Sequence, residues 1–162
     1  MRRSDVPTPA LLLDIDILDR NIAVMRESAA SLGVKLRPHA KAHKCVEIAQ
    51  RIMAAGAIGI SCATIGEAEA MALGGIGGIL ITAPLTSTDA LERLRRLLLR
   101  GADIAATADH PRSVAQLAAV ADTAGKVMGD KKLQSEGKMD KAKGSAHNIA
   151  GDVKDAVRKA GE

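Results

Sequence analysis

The chain contains no phenylalanine, tyrosine or tryptophan, and only two cysteines and five prolines in 162 residues. Each shortage excludes something. Without an aromatic ring there is no stacking platform for an unpaired base, so specific nucleic-acid binding is not expected despite a net charge of +4. Basic and acidic residues are interleaved, as on a solvated surface. Cys45 and Cys62 lie in apolar surroundings without CxxC spacing, which favours free thiols in a reducing cytoplasm over a disulfide. The longest nearly uncharged stretch, MALGGIGGILITAPL, is Gly-rich and shorter than a bilayer-spanning helix requires. MRR at the start is followed by Asp5, Pro7 and Pro9 rather than by an apolar run, which does not read as a signal peptide. A cytoplasmic chain with no membrane association is expected.

Apolar residues make up 47% of the sequence, enough for a core built from Leu, Ile, Val, Met and Ala. The length suits one compact domain, or a small domain with an appendage. From residue 10 to about 122 one unit recurs: a short apolar run, a turn, then an amphipathic segment. Strands are expected at ALLLDI (10–15), VKLRPH (34–39), IGISCA (58–63), GILIT (78–82) and DIAATA (103–108). Helices are expected over DRNIAVMRESAASLG, CVEIAQRIMAAG, IGEAEAMALGG, STDALERLRRLLLRG and HPRSVAQLAAVAD, with Ser87 or Thr88 as the cap of the fourth. Strand alternating with helix in this rhythm implies an α/β fold with a parallel sheet.

After about residue 124 the texture changes. The segment from Gly125 to Glu162 has nine Lys or Arg against six Asp or Glu, and its large apolar residues are too sparse for a core. Gly125, Gly129, Gly137, Gly144 and Gly151 each weaken a helix there. Two regions are therefore expected: a domain over 1–122, and a lysine-rich, helical or partly disordered tail over 123–162.

Chemistry-bearing residues concentrate in RPHAKAHK, residues 37–44. Lys41 stands where a parallel strand ends and its loop begins, which is where open α/β sheets and βα barrels gather reactive groups. Arg37, His39, His43 and Lys44 surround it, and neighbouring positive charge disfavours a protonated amine. A neutral amine there attacks a carbonyl and forms a Schiff base. The alternative from local chemistry is a solvated basic loop.

Zinc is not expected. His39 and His43 have i, i+4 spacing, but Pro38 makes the stretch extended, and four residues along a strand span about 13 Å. The glycines of GGIGGIL precede a strand, whereas a phosphate-binding loop follows one, so they read as a turn. Glu67 and Glu69 read as solvated helix residues, and Thr64 at a strand end faces the region of Lys41. His110 reads as a helix start and His147 as a surface residue of the tail.

TPALLLDIDILDRNIAVM, RPHAKAHKCVEIAQ and GISCATIGEAEAMALGGIGGILIT resemble, in order, the N-terminal portion of the D-threonine aldolase and D-serine dehydratase group. This resemblance runs from about residue 8 to 120. It implies a fold: part, about half, of a TIM-type βα barrel of the alanine racemase N-terminal domain type, lyase in ancestry. It also implies a cofactor, pyridoxal phosphate, held by Lys41 as the catalytic and cofactor-binding residue. Arg37, His39 and Thr64 are the further cofactor-binding candidates, and a D-amino acid is the implied substrate. A full barrel needs eight strands and about 250 residues. By the resemblance, the phosphate cradle, the partner of the pyridine nitrogen and the metal ligands come from later segments. A racemase of this fold also wants a tyrosine opposite the lysine, and none exists here.

GDKKLQSEGKMDKAKGSAHNIAGDVKDAVRKA, near the end, resembles the C-terminal part of CsbD-like stress-response proteins. The expectation is therefore a composite: a truncated pyridoxal-phosphate domain, with its cofactor lysine but without turnover as a lone chain, joined to a CsbD-like tail. A non-enzymatic stress-response protein and an unstable fusion fragment are the alternatives. Open barrel edges imply self-association.

Overall fold

The computed structural model describes residue 2 and residues 5–129. The lysine-rich tail, its CsbD-like resemblance and His147 lie largely outside the described residues.

The first helix, α1 (Ile15–Ser31), starts because Asp14 turns its carboxylate onto the Ile17 N–H at 3.0 Å. That cap corrects one expectation. ALLLDI is not a strand: residues 10–14 form no ladder, and Leu11, Leu12 and Leu13 are exposed. Of α1 only Ala29 is buried, although Arg51 of the next helix pairs with Asp19 at 2.9 Å.

A parallel sheet follows, with strands β1 (Ser61–Cys62), β2 (Ile79–Ile81) and β3 (Ile104–Ala106) in that order. Register pairs Ser61 with Leu80 and Leu80 with Ala105. Alongside β1, residues 36–39 run as a fourth, incomplete strand. Leu36 O accepts from Ile58 N–H at 2.9 Å, Pro38 O accepts from Ser61 N–H at 2.8 Å, and His39 bridges Ser61. Pro38 has no N–H, so it accepts in this ladder without donating. Strands in chain order, parallel, with a helix after each, are the topology of one section of a βα barrel.

Helices α2 (Val46–Ala54), α3 (Ile65–Leu73), α4 (Thr88–Leu99) and α5 (Pro111–Met128) supply the crossovers. Ser87 caps α4 and His110 caps α5, each through its own side chain. Leu91, Leu94 and Leu97 of α4 are buried at helical spacing. They meet Ile79, Ile81, Cys62, Ile65 and Met71 in one aliphatic core. α5 continues past residue 122 to Met128, so the expected division between 1–122 and 123–162 falls inside a helix.

The two faces of the sheet differ. Ile79 and Ile81 point to the helices and are fully buried, while Leu80 between them is half-buried and Ala105 exposed. On that second face Ser61 of β1 is buried, so cover thins from β1 toward β3. A separate apolar cleft of about 360 Å³ lies between α1, residues 34–38 and the end of α2.

Candidate active site at the carboxyl end of the sheet

A short 3-10 turn, Ala40–Ala42, follows the incomplete strand and presents Lys41. Ala40 is fully buried and anchors the turn, whereas Lys41 is exposed. Its amine makes no ion pair or hydrogen bond among the described residues. Two N–H groups, of His43 at 3.0 Å and Lys44 at 2.7 Å, close the turn onto the Ala40 carbonyl. Lys44 takes a left-handed conformation, φ 49°, that side chains rarely adopt.

His39 is oriented from both ring nitrogens. Nδ1 accepts from the Lys41 backbone N–H at 3.2 Å, so in the neutral ring the proton sits on Nε2. Nε2 lies 3.3 Å from Thr82 Oγ1, and that hydroxyl donates onward to the Cys62 carbonyl at 3.1 Å. His39, Thr82 and Cys62 thus form one relay across three neighbouring strand ends. Thr107, after β3, likewise donates to the Ile81 carbonyl at 2.9 Å.

Thr64 is exposed after β1 and caps α3 by accepting from Glu67 N–H at 3.2 Å. Glu67 is not the solvated residue its sequence position suggested. Its side chain is only 12% exposed, it accepts from Ala63 N–H at 2.7 Å, and it pairs with Lys44 at 3.5 Å. The Ala63 N–H, followed by the charge of Lys44, holds its carboxyl below the usual carboxylate range. Glu69 faces elsewhere and is held by Arg93 of α4.

His43 accepts from Cys45 N–H at 3.1 Å through Nδ1, while its Nε2 is buried without a partner. Burial lowers its pKa, favouring the neutral ring. Burial and the nearby Glu67 charge push the Cys62 thiol up to about 11, which makes it a poor nucleophile. Both thiols are free.

Arg37 does not join Lys41. Its guanidinium donates to the Gly78 carbonyl at 2.6 Å, at the amino end of β2. His39 and Leu80 share a row two residues further along, a separation of about 7 Å. The structure therefore brings Lys41, His39 and Thr64 to one end of the sheet and leaves Arg37 at the other. Thr82 and Glu67 are the members sequence reasoning missed. Thr82 carried no local signal, but Thr64 and Glu67 have the T-x-x-E spacing of a capping box.

A profile of the alanine racemase N-terminal domain matches residues 13–129. The chain belongs to that family. It is 37% identical over 131 residues to 3-hydroxy-D-aspartate aldolase of Paracoccus denitrificans, covering 80% of this chain and 34% of that protein. Against D-threonine aldolase of Arthrobacter sp the identity is 39% over 112 residues, with 69% and 29% covered. Among solved structures, D-threonine aldolase from Filomicrobium marinum superposes with a TM-score of 0.73 at 43% identity, covering 76% of this chain and 33% of that one. D-threo-3-hydroxyaspartate dehydratase from Delftia sp. HT23 follows at 0.66 and 35%, covering 77% and 32%.

The chain thus spans about a third of the length of the curated relatives it matches. Pyridoxal phosphate is the cofactor to which the family resemblance points. The donor set at this sheet end suits it: an exposed primary amine for an aldehyde, beside an imidazole whose protonated nitrogen is already fixed. No helix among the described residues is long and apolar enough to cross a membrane.

Proposed function

We propose that this chain supplies the lysine-bearing part of a pyridoxal-phosphate site of the D-amino-acid aldolase and dehydratase kind. The observation that carries this reading is the exposed amine of Lys41, without a partner among the described residues, at the carboxyl end of a parallel sheet. The names of the relatives, aldolases and a dehydratase of D-3-hydroxy amino acids, support the substrate class.

Lys41 would hold the cofactor covalently. When bound, pyridoxal phosphate supplies an electron sink for charge developing at a substrate carbon. His39 is fixed by Thr82 and by the turn itself, so it orients groups beside Lys41 without reorganising. Thr64 accepts from Glu67 N–H through one lone pair and keeps its hydroxyl proton to donate at the same end. Arg37 enters the reading as a brace beneath the site.

The chain matches about a third of its relatives' length, so we expect no turnover of D-threonine or D-serine by these 162 residues alone. A second copy is the proposed cover for the thinly covered sheet face and the exposed apolar side chains of α1. Sedimentation velocity should show a dimer or larger species, and a monodisperse monomer with cooperative unfolding would contradict that. The two free thiols support a reducing cytoplasm, and the EGKMDKAKG and GDVKDAV segments support the CsbD-like reading of the tail.

The test of the site is direct. Protein mixed with pyridoxal phosphate is reduced with borohydride, digested and mapped by mass spectrometry. The adduct should concentrate on the Lys41 peptide. An adduct spread evenly over the lysines would remove the basis of the proposal.

A further inference from the structure

The loop holds two lysines three residues apart, in KAHK, and both amines are solvent-accessible. Local sequence chemistry does not separate them. The structure does, because their surroundings differ. Lys44 sits in the left-handed conformation at the end of the turn and extends to Glu67, 3.5 Å away. Lys41 has no such partner among the described residues.

Glu67 is well placed to hold Lys44. One carboxylate oxygen accepts from Ala63 N–H at 2.7 Å and the other faces Lys44, while its own N–H is bound by Thr64 at 3.2 Å. It is therefore fixed from the end of β1 and from the first turn of α3 before Lys44 is considered. A carboxylate so fixed acts as a rigid counter-charge, and its lowered pKa keeps it ionised at neutral pH.

We propose that Glu67 is the positioning residue that selects Lys41 over Lys44 as the reactive amine of this loop. It does so by two effects of the same contact. The ion pair holds the Lys44 amine toward α3 and screens it behind the Glu67 carboxylate, so it meets an aldehyde less often than Lys41 does. The same contact tethers the far end of the turn whose near end is the buried Ala40, leaving Lys41 as the free amine between two fixed points. The cofactor identity rests on the reading above; the ranking of the two amines does not.

The experiment uses the full chain and two probes. N-hydroxysuccinimidyl acetate, a small neutral acylating reagent, reports amine reactivity alone, read as the Lys44 to Lys41 acetylation ratio in peptide maps. In the Glu67→Gln variant, which keeps an acceptor for Ala63 N–H but removes the charge, that ratio should rise about two- to fivefold, the range for a single exposed ion pair. About 1 M sodium chloride should raise the ratio in the unaltered chain toward the variant's value and leave the variant unchanged. This arm requires no substitution, so it stands even if the variant folds poorly. A purely structural role for Glu67 would change melting without shifting the ratio. An equal ratio in both proteins, insensitive to salt, would overturn the proposal.

With pyridoxal phosphate and borohydride as the second probe, the label should sit on Lys41 in the unaltered chain and divide between Lys41 and Lys44 in Glu67→Gln. Absence of preferential Lys41 labelling in the unaltered chain would sink the cofactor reading, while the acetylation ratio still judges Glu67.

Discussion

The two ends of the sheet are built differently. At the amino end the backbones close on one another. A Cβ at Gly59 would collide with the Gly78 carbonyl, and one at Gly78 would collide with the Ile58 carbonyl. Arg37 donates to that same Gly78 carbonyl, and Asp103 accepts from Gly78 N–H at 2.9 Å. Polar groups there are consumed in holding strands together. At the carboxyl end, Lys41 has no partner among the described residues, and His39, Thr64 and Thr82 are oriented by hydrogen bonds. Stability therefore resides at one end and reactivity at the other: substitutions at the amino end should cost folding, and those at the carboxyl end should cost chemistry.

The largest effect should come from Gly59→Ala. Its backbone, φ 153°, already favours glycine, and the new methyl group would have to displace a strand. A loss of about 3 kcal/mol or more is expected in urea unfolding. Gly33→Ala isolates the conformational part, because Gly33 also has positive φ but nothing within 4 Å of an added Cβ. It should cost only about 1 kcal/mol. Equal costs at the two glycines would show that close approach of strands at the amino end contributes nothing.

Arg37→Met comes next. It keeps much of the aliphatic length but leaves the Gly78 carbonyl without its charged donor, at a cost of about 1.5–3 kcal/mol. Borohydride labelling of Lys41 should persist in whatever fraction stays folded. Loss of labelling at unchanged stability would move Arg37 into the cofactor site and break the comparison.

Smaller effects should appear with pH. His43 has a folded pKa lowered by burial, so the unfolded chain binds the proton more readily and stability declines as pH falls below about 6.5. Glu67 is also lowered, and its contribution, present above about 4.5, is lost as pH falls through its folded value. Urea midpoints measured from pH 8 to pH 4 should show the upper decline vanish in His43→Gln. A profile identical to the unaltered chain would remove His43 as its source.

Much of this architecture was legible as pattern. The alternation of apolar runs with amphipathic segments placed α1 to α5, Ser87 announced α4, and His110 with Pro111 announced α5. ALLLDI misled because a short apolar run reads as a strand whether or not a partner strand exists. Its own sequence held the competing signal, Asp14 three residues before Ile17, and with nothing to pair with, the capped helix took over. Strand lengths were overestimated for a related reason: β1 keeps two residues because Gly59 and Pro38 interrupt the ladder on either side. In the site, Lys41 and His39 were readable from one octapeptide. Glu67 and Thr82 were not, since their roles depend on residues brought together from more than twenty positions away.

The fold holds the Lys41 amine at the carboxyl end without drawing stability from it, which the absence of a partner among the described residues implies. Lys41→Ala tests it most directly, with urea unfolding and borohydride-trapped pyridoxal phosphate measured on the same preparation. The predicted result is a stability within about 0.5 kcal/mol of the unaltered chain, together with loss of the dominant adduct. An undiminished adduct in Lys41→Ala, or a loss of folding comparable to Arg37→Met, would contradict it.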